Sequence, residues 1–137
     1  MARPKSYEDL IVWQKAMALA RRTYKISEGF PKSEAYGLIA QIRRAAVSVP
    51  SNIAEGYGRL TDTQFRHFLG NARGSLYEMQ TQLRLAGDLG YLNQELVREL
   101  IAETTEVARI NALISSISRL RETRSASSGG VATSAKL

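Results

Sequence analysis

Apolar residues recur at steps of three and four along four successive stretches of the chain, a spacing that gathers them on one face of a helix. In the first stretch, Leu10, Trp13, Met17, Ala20 and Tyr24 keep this rhythm, and Ser6 with Asp9 three positions on has the form of a capping box. The pattern predicts a helix to about Ser27, with Trp13 and Tyr24 as core or interface residues. Gly29, Phe30 and Pro31 break it. In the second stretch Leu38, Ile42, Ala45, Val49 and Ile53 form the stripe; Pro50 predicts a kink, and Gly56 and Gly58 an end. The third opens on a Thr61–Gln64 capping box and runs from Asp62 to about Ala86, with Phe65, Leu69, Ala72, Leu76, Met79, Leu83 and Ala86 as the most regular seam in the chain. Gly87 or Gly90 offers it a left-handed cap, and Asn93 caps a fourth helix over Gln94 to Glu122. That helix is lined by Val97, Leu100, Ile101, Val107, Ile110, Leu113, Ile114, Ile117 and Leu120.

Short connections make sequential helices antiparallel neighbours, so the expected fold is an all-α, up-down-up-down four-helix bundle over residues 1–124 with a kinked second helix. The remainder, 125–137 (SASSGGVATSAKL), holds small and polar residues without periodicity and reads as a disordered tail. Gly70 and Gly74 inside the third helix each cost about 1 kcal/mol relative to alanine, which predicts a close helix approach there.

Beside two of the apolar stripes runs a polar one. Gln41, Arg44, Ser48, Asn52 and Glu55 flank the second helix's stripe, and Asn71, Ser75, Glu78 and Gln82 flank the third's. Half-buried polar rows need partners. Either the rows face each other within one chain, with Arg44 as mate for Glu78, or they meet the rows of another copy and specify a homo-oligomer.

Charge adds a direction. The net charge is +6, from 19 Lys and Arg against 13 Asp and Glu, and all but five of those 19 cations are arginine, whose planar fork of donors matches phosphate. Candidates for nucleic-acid contact are Arg21, Arg22, Lys25, Arg43, Arg59, Arg66 and Arg73, while Arg44 belongs to the structural row. For Arg21, Arg22 and Lys25 the favourable dipole at a helix C-terminus is a sufficient alternative explanation. The acidic residues Glu95, Glu99, Glu103 and Glu106 alternate with Arg98 and Arg109 as a solvated surface. With no cysteine, disulfides, thiolate metal sites and a cysteine nucleophile are excluded. No apolar run approaches the roughly 20 residues of a membrane span, and no signal segment is evident, so a cytoplasmic location is expected. Catalytic chemistry finds no constellation: the single histidine, His67, reads as a solvated helix residue, Glu55 and Glu78 lack a Glu-x-x-His partner motif, and the turn at Gly56 to Arg59 lacks the lysine and preceding strand of a phosphate loop. No enzyme activity, metal or cofactor is expected.

The run QIRRAAVSVPSNIAEGYGR, preceded by FPKSEAYGL and LIVWQKA and followed by FRHFLGNARGSLYEMQTQLRLAGDLGYL, resembles the bacterial four-helix bundle proteins related to the 23S rRNA intervening-sequence proteins. A sister group is the accessory variability determinant of diversity-generating retroelements. The resemblance covers about Tyr7 to Leu92; the fourth helix matches in pattern alone. It implies a small cytoplasmic bundle without enzymatic activity, which in some relatives forms a homopentameric barrel with a basic surface. For the retroelement branch it also implies nucleic-acid binding and a reverse-transcriptase partner. Two readings follow: a non-catalytic oligomer that binds structured RNA or DNA through phosphate contacts, or an adaptor that binds another protein and has no direct nucleic-acid role.

Overall fold

In the computed structural model, which describes residues 4–128, the four stripes become four helices: α1 (Ile11–Ser27), α2 (Leu38–Tyr57), α3 (Asp62–Asp88) and α4 (Gln94–Ser128). Cross-helix contacts show the antiparallel order. Along α2 and α3, Ser48 meets Ser75 and Gly56 meets Phe68. Along α3 and α4, Asn111 Nδ2 donates to the Leu69 carbonyl at 2.8 Å, Gln80 Nε2 to Thr104 Oγ1 at 2.9 Å, and Gly87 abuts Val97. Along α1 and α4, Lys15 pairs with Glu106 and Arg22 with Glu99 and Glu103. In each pair of helices the partner number falls as the residue number rises, so the chain runs up, down, up, down.

The α2 and α3 seams enter the core as the spacing predicts. Leu38, Ile42, Ala45, Val49 and Ile53 are buried, as are Leu69, Ala72, Leu76, Met79, Leu83 and Ala86. Thr61 Oγ1 accepts from the Gln64 N–H at 3.1 Å and Asn93 Oδ1 from the Leu96 N–H at 2.8 Å, so both expected caps are made. Gly90, with φ of 78°, is the glycine that turns the chain between α3 and α4. Tyr91 then ties this turn to the α1–α2 connection: its hydroxyl donates to Glu34 Oε2 at 2.9 Å, and the carboxylate it donates to raises its ionisation above the usual phenol value.

Elsewhere the tertiary structure departs from the pattern. Ser6 and Asp9 close a separate 3-10 turn over Tyr7–Asp9, in which Ser6 Oγ accepts from the Glu8 N–H and Asp9 Oδ2 from the Lys5 N–H. Leu10 is then extended, which drops its side chain into the core before α1 begins. On α1 the buried face is Val12, Ala16, Leu19, Ala20, Thr23 and Ser27, displaced from the predicted stripe; Trp13 and Met17 are half-buried and Tyr24 is exposed. Thr23 and Ser27 tolerate burial because their hydroxyls bond backward to the Leu19 and Tyr24 carbonyls. Helix α2 continues through Pro50, which is buried, and through Gly56, which is a packing position inside the last turn rather than a stop. A Cβ at Gly56 would lie 2.7 Å from Phe68 Cβ.

Gly70 and Gly74 have the opposite character, for a Cβ at either would meet nothing within 4 Å. The close approach expected at these two is made at Gly56 and Gly87 instead. Helix α4 reaches Ser128, past the expected end, since Ser125–Ser128 contains no helix breaker; the rest of the predicted tail lies outside the described residues. The core face of α4 also holds Thr104, Asn111 and Ser118, while Leu113 and Leu120 are 56% and 61% exposed. Asn111 earns its buried place through its bond to α3, which also pins the register of the two helices.

The two kinds of glycine separate in a stability measurement. Gly56→Ala is expected to destabilise the bundle by about 1–3 kcal/mol through overpacking against Phe65 and Phe68, whereas Gly74→Ala gains about 0.5–1 kcal/mol of helix propensity with nothing to clash against. Urea denaturation of both variants checks the opposite signs.

Candidate nucleic-acid interface

Charge on α4 is sorted by helical face. Glu99, Glu103 and Glu106 project towards α1, where Arg22 and Lys15 neutralise them. Arg98 and Arg109, eleven residues apart and thus three turns along one line, lie on a different face and are exposed. Helix α3 repeats the spacing with Arg73 and Arg84, also exposed. Because α3 and α4 are antiparallel and cross-linked midway by Gln80 and Thr104, Arg73 comes beside Arg109, and Arg84 lies towards Arg98. The two pairs are roughly 16 Å apart along the helix axes at about 1.5 Å per residue. None of the four makes an ion pair among the described residues. Asp88 and Glu95 lie beyond the Arg84 and Arg98 end.

At the Arg73 and Arg109 end the surface dips into a hollow of about 210 Å³. Its floor is kept low by Ala108 and Ala112, and Tyr77, 54% exposed, stands in its wall with Gln80 and Thr105. Gln80 Nε2 donates to both Thr104 and Thr105, so its amide is held in place rather than free to wander. Two guanidinium groups and an aromatic face around a shallow floor suit a phosphate with an attached planar ring.

The other cations named from sequence are dispersed. Arg21 lies on the rim of a groove between α1 and α2, and Lys25 is exposed in the last turn of α1. Arg22 is bound to two carboxylates. Arg43 is locked onto the end of α1: Nε donates to Ser27 Oγ at 2.8 Å, Nη2 to the Tyr24 carbonyl at 3.2 Å, and the guanidinium lies 4.7 Å from the Tyr24 ring centroid. Arg59 pairs with Glu55 and covers the Phe68 ring at 4.7 Å. Arg66 is half-buried beside Thr63. Of the seven, Arg73 alone belongs to the four-arginine face; the sequence pattern read Arg98 and Arg109 as solvated surface and did not single out Arg84 or Tyr77. The eleven-residue repeat of arginine on each helix was the available signal.

The polar rows meet in part. Ser48 and Ser75 hydrogen-bond, Asn52 Nδ2 donates to the Ser48 carbonyl at 2.8 Å, and Gln82 Nε2 donates to Glu78 at 3.3 Å. Gln41 and Arg44 are exposed, and Arg44 does not pair with Glu78. Arg44, expected to be structural, is thus on the surface, while Arg59, expected to bind a ligand, is engaged within the chain. Among the described residues no group of three or more His, Cys, Asp or Glu could hold a metal, and no helix is long and apolar enough to cross a membrane.

Residues 8–112 match the family model described as 23S rRNA-intervening sequence protein. The chain belongs to this family. Among solved structures it is similar to a protein of unknown function from the S23 ribosomal protein family of Bacteroides thetaiotaomicron, at 22% identity and a TM-score of 0.69, covering 77% of this chain and 98% of that one. That likeness establishes the shared bundle fold. Among curated proteins none matches. The family match takes in α1 to α3 and α4 as far as Ala112, and so includes all four arginines of the α3–α4 face.

Arg43 and Arg73 should respond differently to truncation. Arg43→Ala is expected to cost about 1–2 kcal/mol of stability, since it removes charge-assisted bonds at the α1 terminus, while Arg73→Ala changes stability by less than about 0.5 kcal/mol. Thermal melts followed by circular dichroism test this contrast.

Proposed function

We propose that this 23S rRNA-intervening sequence family protein is a non-catalytic nucleic-acid-binding bundle that grips phosphates along its α3–α4 face. The observation that carries this reading is the set of four exposed arginines, Arg73, Arg84, Arg98 and Arg109, left without carboxylate partners on one side while the α4 glutamates are neutralised on another. Excess positive charge alone would be weak support, because a net +6 can be scattered over a whole surface. Its concentration along two antiparallel helices is what favours a polyanion of extended shape. Tyr77, which lines the same hollow as Arg73 and Arg109, adds a stacking surface for a base, and no base-specific hydrogen-bonding array is required for such binding.

Affinity of this kind is dominated by counterion release and falls steeply with salt. The double variant Arg73→Glu/Arg109→Glu is expected to weaken binding to a structured RNA at least tenfold at low salt. Neutralising the same pair, Arg73→Ala/Arg109→Ala, should lower the slope of log affinity against log salt by about 1.4–1.8, as expected for two lost phosphate contacts. Arg21→Glu should have little effect on either. Fluorescence anisotropy with labelled RNA and duplex DNA measures all three; absence of binding by the unaltered protein, or equal binding by the double variants, would sink the proposal.

A further inference from the structure

The Gln80 amide between α3 and α4 has one workable orientation, and the hydroxyls that it touches decide which. Thr104 Oγ1 donates to the Ile101 carbonyl at 2.6 Å, and Thr105 Oγ1 donates to the same carbonyl at 2.9 Å. A hydroxyl has one proton, so towards any further neighbour both oxygens can only accept. Gln80 meets them with Nε2, at 2.9 Å from Thr104 Oγ1 and 3.3 Å from Thr105 Oγ1. Were the amide reversed, its oxygen would stand against two oxygens with no proton between them. Both amide protons are thus committed within the chain.

What Gln80 has left is its carbonyl oxygen. Among the described residues Oε1 accepts no hydrogen bond, and it is not sealed from solvent. Its side chain lines the hollow of about 210 Å³ that also holds Arg73, Tyr77 and Arg109. Gln80 sits at the Thr105 end of this hollow, and Arg73, about 10 Å back along α3 at 1.5 Å per residue, sits at the Ala112 end. Tyr77 lies between them on α3. A phosphate held at the arginine end therefore leaves its ring on Tyr77, with the ring's edge turned towards a fixed acceptor.

We propose that this hollow reads one unpaired nucleotide, with Gln80 Oε1 accepting from the exocyclic amino group of its base, so that bases with that group are favoured over uracil. This choice of base rests on the phosphate-binding role proposed for the α3–α4 face and adds selectivity to it. Cytosine N4 and adenine N6 each carry two protons that project beyond the ring. Uracil has a carbonyl oxygen where cytosine has its amino group. Its one ring N–H is flanked by carbonyls on both sides, which would confront the Gln80 oxygen. Stacking on Tyr77 alone would separate cytosine from uracil little, because the two rings have the same size. A base paired within a duplex has its edge engaged and its faces stacked, so the ligand is a loop or a single strand.

The full-length protein is titrated by fluorescence anisotropy at low salt with labelled RNA hairpins that share one stem and differ only in a loop of cytidine, uridine, adenosine or unsubstituted purine riboside. Phosphate number is constant across the set, so differences in affinity report on the bases. The cytidine loop is expected to bind about fivefold more tightly than the uridine loop, and the adenosine loop than the purine loop, the scale of one hydrogen bond gained or left unmade. A neutral hydrogen bond carries this preference, so the ratio should hold while added salt lowers every affinity. In Gln80→Leu, which removes the acceptor, the cytidine loop is expected to fall to the level of the uridine loop with the salt slope unchanged. A DNA set with deoxycytidine and deoxyuridine loops separates the sugars, and the preference is expected on whichever set binds. Equal affinity for cytidine and uridine loops, a preference for uridine, or a preference that survives in Gln80→Leu would overturn the role of Gln80 and leave the phosphate reading standing; failure of every hairpin to bind would overturn both. Should Gln80→Leu lose helicity, the adenosine and purine pair on the unaltered protein decides, since those two loops differ by the amino group alone.

Discussion

The close contact of α2 with α3 is the constraint on which the remaining geometry depends. At Gly56 the absent side chain lets the α2 backbone lie against Phe65 and Phe68, and two turns back along α2 the Ser48–Ser75 hydrogen bond holds the same register. Between them the buried stripes of the two helices interlock, with Ile53, Val49 and Ala45 against Leu69, Ala72, Leu76 and Met79. Interiors packed this closely do not slide continuously, so fixing one pair of helices fixes what the other two can present.

Helix α4 illustrates the consequence. It is held to α3 by Asn111 on the Leu69 carbonyl, Gln80 on Thr104 and the Gly87–Val97 contact, and these together determine its rotation. With that rotation set, Thr104, Asn111 and Ser118 face inward, the glutamates face α1, and Arg98 and Arg109 turn to a separate solvent face. The same rotation places Leu113 and Leu120 outward where α1 has already ended. A basic face and an apolar ridge therefore arise from one packing decision. The ion pairs to α1 contribute little stability individually, about 0–1 kcal/mol each at exposed sites, yet they decide which cations remain unpaired.

The glycines show how local cost becomes informative only in three dimensions. In sequence, Gly56 looked like a helix terminator and Gly70 and Gly74 looked like packing positions. In the structure Gly56 is the packing position, and Gly70 and Gly74 face open space. Each costs about the same in helix propensity, so propensity alone could not rank them. The arginines behave alike: Arg43 and Arg59 are as basic as Arg73, but ring faces and a helix end engage them within the chain.

From sequence alone, the four helices, their caps at Thr61 and Asn93, their antiparallel order and the buried stripes of α2 and α3 were legible. These depend on periodicity, capping chemistry and loop length, all of which act over a few residues. Tertiary structure decided the facing of α1 and α4. Each has two candidate apolar stripes offset by a fraction of a turn, and which one turns inward depends on helices distant in the chain. Thus Met17 and Tyr24 line a groove instead of the core, Trp13 borders both, and Asn111 is buried while Leu113 is not. The candidate site was hidden for the same reason: Arg73 and Arg109 are 36 residues apart in sequence, and only the α3–α4 register brings them together.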